Sequence, residues 1–261
     1  MATLDHVELA VHLPPKHVRD ELDQDEEWCE VEIGGERRRI RFHDYASIYE
    51  VRGLYEQLFA ERLDCDSPRV VTDLLGEQLR SSRIDPGRLT ALDFGAGNGM
   101  VGELLDGHGI GAIVGVDLLA EARDAAHRDR PGVYEDYYAL DLTRLHPVDR
   151  HLLAGHHFDL MTCVAALGFG DIPPLAFAEA FNLVDSPGWI AFNIRDRYFS
   201  SACFGRFIAR MFDEGILEER ACERYTHRVS VAGEPLDYYA IIAEKRDDVP
   251  LEWARAAGAG T

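Results

Sequence analysis

Apolar and polar residues alternate along "WCEVEIGGERRRIRF", Trp28 to Phe42, on both sides of Gly34-Gly35. A period of two around a glycine pair predicts a β-hairpin closed by a primed turn. The period then lengthens: Tyr45, Ile48, Tyr49, Leu54, Leu58 and Phe59 fall at mostly helical spacing, with Gly53 as a break. Ser67 and Pro68 form an N-cap and first-turn pair for a helix from Pro68 to about Ser82. From Leu89 onward, short apolar runs alternate with helical patterns. Strands are predicted at Leu89 to Phe94, Ala112 to Val116, Tyr137 to Leu140, His157 to Val164 and Gly188 to Ile194. Helices are predicted at Gly99 to Asp106, Leu119 to His127, Pro173 to Val184 and Cys203 to Gly215. "CERYTHRVSVAGEPLDYYAIIAEK", Cys222 to Lys245, reads as two long strands joined by a turn at Gly233 to Pro235.

This rhythm predicts an α/β fold: a doubly wound, mostly parallel seven-stranded sheet with helices on both faces and an antiparallel last strand. Residues 1–66 form an N-terminal cap carrying the hairpin and helices, and residues 67–245 form the main domain. Residues 246–261 make a C-terminal tail, frayed after Trp253. The histidines His146, His151, His156 and His157 flank a polar segment without carboxylates at ligand spacing, which reads as a loop and not as a metal site.

Composition narrows the partners. Acidic residues outnumber basic ones by 47 to 27, for a formal charge of −20, which repels phosphate backbones. Nucleic acid is disfavoured, and the basic run "ERRRIRF" is read as a solvated strand edge. The opening residues carry Asp5 and Glu8 where a secretory signal needs basic side chains, and no apolar run is long enough to span a membrane. A soluble cytoplasmic protein is expected. Cys29, Cys65, Cys163, Cys203 and Cys222 are scattered and never in C-x-x-C spacing, so neither a disulfide framework nor zinc is signalled, and reduced core thiols are expected. Nothing fixes the oligomeric state; a homodimer stays open.

The chemistry concentrates at "ALDFGAGNGM", Ala91 to Met100, where a strand runs into three glycines and a helix. Glycine permits positive φ and close ligand approach, and the following helix N-terminus offers unpaired N–H groups to an anion. That suits a nucleotide pyrophosphate or an amino-acid carboxylate. The natural frame, Gly95-x-Gly97-x-Gly99, lacks dinucleotide spacing; the shifted frame Gly97-x-Gly99-x-x-Gly102 has it but pushes the last glycine into the helix, where close packing is the simpler role. Asp117 closes the second strand, at the sheet edge where a carboxylate can bind two ribose hydroxyls or cap the next helix. Asp141 closes the third and can meet the amine of adenine or cap the turn before "LTRL". Asp93 can act on a ligand through water or pair with loop N–H groups as a buried acid.

With these motifs in order, the chain resembles the class I S-adenosylmethionine-dependent methyltransferases over about Ser67 to Lys245. The matching stretches are "LDFGAGNG", "VGVDLL", "YYALDL", "FDLMTCVAALGFGDIPP" and "SPGWIAFNI". The resemblance implies that the backbone of Gly95, Ala96, Gly97 and Gly99 borders the amino-acid end of the cofactor. It implies that Asp117 holds the ribose, Leu118 lines the adenine pocket, Asp141 and Leu142 contact adenine, and Val164 and Ala165 sit beside the sulfonium.

Methyl transfer from a sulfonium is an in-line displacement in which alignment supplies much of the rate and no metal is needed. A hydroxyl or ammonium acceptor also requires a base. "GDIPP" is not the N/D-P-P-Y motif of nucleobase amine methyltransferases, because Ile172 separates Asp171 from Pro173. Asp171 is a candidate to orient an acceptor, or it serves the positive end of the next helix. His227 is the candidate base, against an exposed strand histidine. Tyr225, on the same strand, and Arg195, by a bidentate contact to an anionic acceptor, are candidate substrate contacts. Tyr45, Tyr49 and Tyr55 either close over the cofactor or pack the cap.

The expected function is thus S-adenosylmethionine-dependent methylation of a small-molecule acceptor. The alternatives are a protein or RNA methyltransferase, a nicotinamide-dependent oxidoreductase, and a catalytically silent cofactor-binding subunit.

Overall fold

The computed structural model describes residues 8–167, 171–196 and 203–259, with the Cys203 side chain excepted. Asp5 and the "GFG" of the fourth-strand motif lie outside the described residues. The hairpin forms as patterned: β2 (Trp28–Ile33) pairs antiparallel with β3 (Glu36–Arg41). Gly34 and Gly35 both take positive φ, 60° and 86°, as a primed turn requires. A two-residue β1 (Val11–His12) adds a third strand on the far side of β2. The short α1 (Lys16–Arg19) lies between β1 and β2, and α2 (Tyr45–Glu50) follows the hairpin. Gly53, at φ 77°, separates α2 from a wide helical turn over Glu56–Arg62. The arginines of β3 are exposed and pair with Glu30, Glu32 and Glu50, so this basic run is a solvated face.

Helix α3 (Ser67–Ser81) leads into β4 (Thr90–Phe94), α4 (Met100–Gly107), β5 (Ala112–Asp117), α5 (Ala120–Asp129) and β6 (Asp136–Ala139). Then come α6 (Pro147–Ala154), β7 (Phe158–Cys163), α7 (Pro174–Phe181), β8 (Val184–Arg195), α8 (Cys203–Asp213), β9 (Leu217–Val229), β10 (Pro235–Lys245) and α9 (Leu251–Gly258). The large sheet has the order β6-β5-β4-β7-β8-β10-β9. Its strands pair in parallel from β6 to β8, and β10 runs antiparallel to both β8 and β9.

Successive residues of each strand feed opposite faces, which is why these strands read as continuous apolar runs. Leu92, Phe94, Phe192 and Ile241 pack under α7, α8 and α9. Ala91, Ile113, Ala191 and Ile242 pack against α3 and α4. The cap has its own core of Val31, Ile40, Phe42, Ile48, Leu54 and Leu58.

Four expectations are corrected. Residues 147–154 form α6, not a loop: Pro147 stands at its first turn and His146 Nδ1 accepts the Val148 N–H at 3.3 Å. The tail is not frayed after Trp253 but folds as α9, with Ala254 buried and the Arg210 guanidinium 3.5 Å above the Trp253 ring. Ser67 lies inside α3, whose N-cap is Asp66, and its hydroxyl turns inward. Cys222 is exposed, unlike buried Cys29 and Cys163.

Candidate functional site

A cleft of about 610 Å³ opens at the carboxyl ends of β4, β5, β6 and β7, with the cap as its other wall. This is where an open α/β sheet places ligands. Gly95, Asp117, Leu118, Asp141, Leu142, Val164 and Ala165 line it from the sheet, and Tyr49 lines it from the cap, together with Tyr45 and Tyr55. Seven of the eleven residues expected to meet a cofactor thus come together.

The other four lie behind this surface. Asp93 is buried in β4, where its carboxylate accepts hydrogen bonds from Tyr134 Oη at 2.7 Å and Thr162 Oγ1 at 2.8 Å. Burial pushes its pKa up to about 6. Ala96, Gly97 and Gly99 shape the turn and do not line the cleft. Gly97, at φ 55°, has the Tyr49 hydroxyl 2.5 Å from where a Cβ would stand, and Gly99 caps α4 in the left-handed region at φ 89°. Gly102 packs on Tyr134, so the shifted dinucleotide frame does not face the cleft.

Asp117 fixes this turn. Its Oδ2 accepts the Gly97 N–H and its Oδ1 the Leu119 N–H, each at 3.0 Å, and burial raises its pKa. Two lone pairs remain for a ligand. Asp141 accepts the Thr143 N–H at 2.9 Å, capping a single turn at Leu142–Arg144 while still lining the cleft. Leu118 is 65% exposed between these two acids, an apolar side chain turned to open space.

Ala165 sits at φ 59°, strained for a residue with a Cβ. Its N–H donates to Asn193 Oδ1 at 2.7 Å, and Asn193 Nδ2 donates to Tyr225 Oη at 2.7 Å and Ser67 Oγ at 3.1 Å. Ser67 Oγ also meets His227 Nδ1 at 2.5 Å. A buried polar chain thus runs beneath the cleft floor. Sequence reasoning missed Asn193 and Ser67; a polar residue inside the apolar run "AFNI" was the available signal for the first.

Three acceptor-side candidates do not line the large cleft. His227 is buried, not exposed, and burial with the nearby Arg228 and Arg195 pushes its pKa down to about 3. Tyr225 belongs to the polar chain and does not line the cleft. Arg195, at the end of β8, lies close enough to favour the neutral imidazole of His227 but is not part of the cleft lining. Asp171 does line the cleft, as does the unforeseen His43, and the two approach to 3.9 Å. Both also border a smaller inner pocket of about 30 Å³ walled by Phe42, Tyr55, Phe59, His227 and Tyr238. Among the described residues, no group of three or more His, Cys, Asp and Glu side chains is placed to hold a metal.

Residues 92–192 match the family model described as a methyltransferase domain. A ubiquinone biosynthesis O-methyltransferase of Burkholderia ambifaria (strain MC40-6) is 30% identical over 131 residues, 48% of this chain and 54% of that one. The mitochondrial counterpart of Candida albicans is 23% identical over 146 residues, 53% of this chain and 43% of that one. The chain thus spans about half the length of the curated relatives it matches. Among solved structures, the N-methyltransferase NodS of Bradyrhizobium japonicum WM9, in complex with S-adenosylhomocysteine, shares the fold at a TM-score of 0.53 and 15% identity, covering 79% of this chain and 98% of its own. Among the described residues no helix is long and apolar enough to cross a membrane. Residues 92–192 thus match a methyltransferase domain, and the fold as a whole is shared with NodS.

Proposed function

We propose that this chain methylates a hydroxyl group of a small molecule with S-adenosylmethionine. One observation carries the reading: Asp117 and Asp141 stand at the ends of adjacent strands with exposed Leu118 between them, all on one cleft. Hydroxyl-binding carboxylates flanking an apolar surface fit an adenosine. In this reading Asp117 holds the ribose, Leu118 and Leu142 sandwich adenine, Asp141 takes its amine, and Gly95 offers backbone to the amino-acid end. Val164 and Ala165 flank the sulfonium, which supplies the methyl group, and Tyr49 closes the cap side. Asp93, Ala96, Gly97 and Gly99 act indirectly, by fixing the turn.

The O-methyltransferase names of the sequence relatives favour oxygen as the acceptor atom. The cap over the cleft and the charge of −20 favour a small acceptor over nucleic acid. A nicotinamide dinucleotide is disfavoured because Gly99 and Gly102 face Tyr134 and not the cleft.

Calorimetric titration with S-adenosylmethionine, S-adenosylhomocysteine and nicotinamide dinucleotides tests the cofactor. Binding of the two adenosyl ligands alone is expected; binding of a dinucleotide alone overturns the reading. In the Asp117→Asn variant the new amide must point at one of two N–H donors. We expect adenosyl affinity to fall about 10- to 100-fold, in line with a charged hydrogen bond. Unchanged affinity in a folded variant removes the ribose assignment.

A further inference from the structure

We propose that His43 is the base that accepts the proton of the acceptor hydroxyl, and that Asp171 positions it and balances its charge once protonated. This rests on the methyl-transfer reading above. His43 comes from the turn after β3 and Asp171 from the segment before α7, so only the docked cap brings them together. Both side chains border the large cleft and the inner pocket, beside Ala165, at the junction of the two. An acceptor oxygen approaching a methyl group held near Ala165 passes this junction.

The geometry suits a base and its partner. His43 Nδ1 lies 3.9 Å from Asp171 Oδ2, a distance that tightens on ligand binding in many catalytic pairs. The Tyr45 ring stands edge-on to the imidazole, 5.9 Å away at 88°, and limits its rotation. Besides Asp171, the titratable or charged groups that line this junction among the described residues are Asp44, Tyr45, Tyr55, Cys65, His227, Arg228 and Tyr238. Arg228 is already paired with Glu27 at 2.7 Å. His227, the alternative base, has its Nδ1 held by the Ser67 hydroxyl inside the buried polar chain. Its surroundings also disfavour protonation, whereas His43 stands next to a carboxylate. Burial pushes the Cys65 thiol up to about 11, which disfavours its thiolate.

The step balances. The acceptor O–H proton passes to the His43 imidazole, the oxygen pair forms the bond to the methyl carbon, and the carbon–sulfur pair returns to sulfur, giving a neutral thioether. The imidazolium then releases its proton to water. The rings of Tyr45, Tyr49, Tyr55 and Phe94 along the large cleft favour an aromatic hydroxyl. The inner pocket is of water scale, so the acceptor's body belongs in the larger cleft.

The test uses 4-nitrophenol, whose anion absorbs in the visible, with full-length protein loaded with S-adenosylhomocysteine. The loading is established beforehand by calorimetry. Below the pH at which the free phenol ionises, wild-type protein is expected to raise the nitrophenolate band. His43→Gln abolishes that rise while still binding S-adenosylhomocysteine and unfolding at the wild-type temperature. Asp171→Asn, which favours neutral imidazole, diminishes the rise. In turnover with phenols, His43→Gln lowers kcat by about 100-fold or more, and Asp171→Asn moves the acid limb of kcat/KM to lower pH, which a purely structural role does not do. No rise with wild type, or an equal rise with His43→Gln, overturns the assignment. Failure to bind S-adenosylhomocysteine overturns the underlying reading instead.

Discussion

Asp93 and His227 are buried titratable groups that burial pushes in opposite directions. Asp93 keeps its proton up to about pH 6 in the folded chain, against an ordinary value of 3.8. Its stabilising contribution is therefore complete below pH 3.8 and is lost as the pH rises through 6. His227 stays neutral in the folded chain down to about pH 3, against an ordinary 6.5. Its contribution is complete above pH 6.5 and is lost as the pH falls through 3. Between about pH 6 and 4 the two oppose each other, each by at most about 1.4 kcal/mol per pH unit. Relative to wild type, Asp93→Asn is expected to lose stability more steeply on acidification across this window, and His227→Gln less steeply. Urea unfolding at pH 4, 5 and 6 measures both slopes; parallel curves for all three proteins contradict the argument. Asp93 was legible in the sequence as a polar residue in an apolar strand. His43 was not: nothing in the periodicity of "RFHDY" marks it, and its partner Asp171 comes from a distant segment. Local pattern reports which face a residue takes, while pairing across the cap depends on docking.

Among the elements, the glycine in α4 separates propensity from packing. Gly102 is buried in a helix interior, where alanine is ordinarily better by about 1 kcal/mol. A Cβ there would lie 2.5 Å from the Tyr134 ring, whose hydroxyl holds Asp93. Gly102→Ala is therefore expected to destabilise by about 1–3 kcal/mol, as overpacking does. A gain in thermal unfolding temperature for this variant would show that Tyr134 yields freely. The central strands β4, β5 and β7 and the second half of β8 were readable because they are buried on both faces. Helix α6 was not, since only Leu153 is fully buried, Val148 and Leu152 stay exposed, and the histidines around it read as a polar segment. Helix α9 was missed for a related reason: its small residues look like a tail until α7 and α8 supply a surface for Ala254 and Trp253.

At the scale of the molecule, the cap and the sheet are joined by polar contacts as well as by apolar packing. Glu56 of the cap meets Arg130 Nη1 at 2.8 Å and Asn98 Nδ2 at 2.7 Å, beside the glycine turn. Glu27, at the foot of β2, accepts the Arg228 Nη2–H and the Val231 N–H, each at 2.7 Å, and both ionic side chains are almost fully buried. Removing one partner of such a pair leaves an uncompensated buried charge, whereas removing both avoids that penalty. Glu27→Ala should therefore cost about 3–5 kcal/mol, and Glu27→Leu combined with Arg228→Met should cost less than Glu27→Ala alone. Trp28 reports on the cap and Trp189 on the sheet, so single-tryptophan variants can follow the two regions separately through urea unfolding. Because cap residues supply one wall of the cleft, wild type is expected to unfold in one coincident transition, and Glu27→Ala to lose its Trp28 signal at lower urea than its Trp189 signal. If both signals instead shift together, cap and sheet form one cooperative unit even without this pair, and the Glu56 contacts together with the apolar interface are enough to hold the cleft closed.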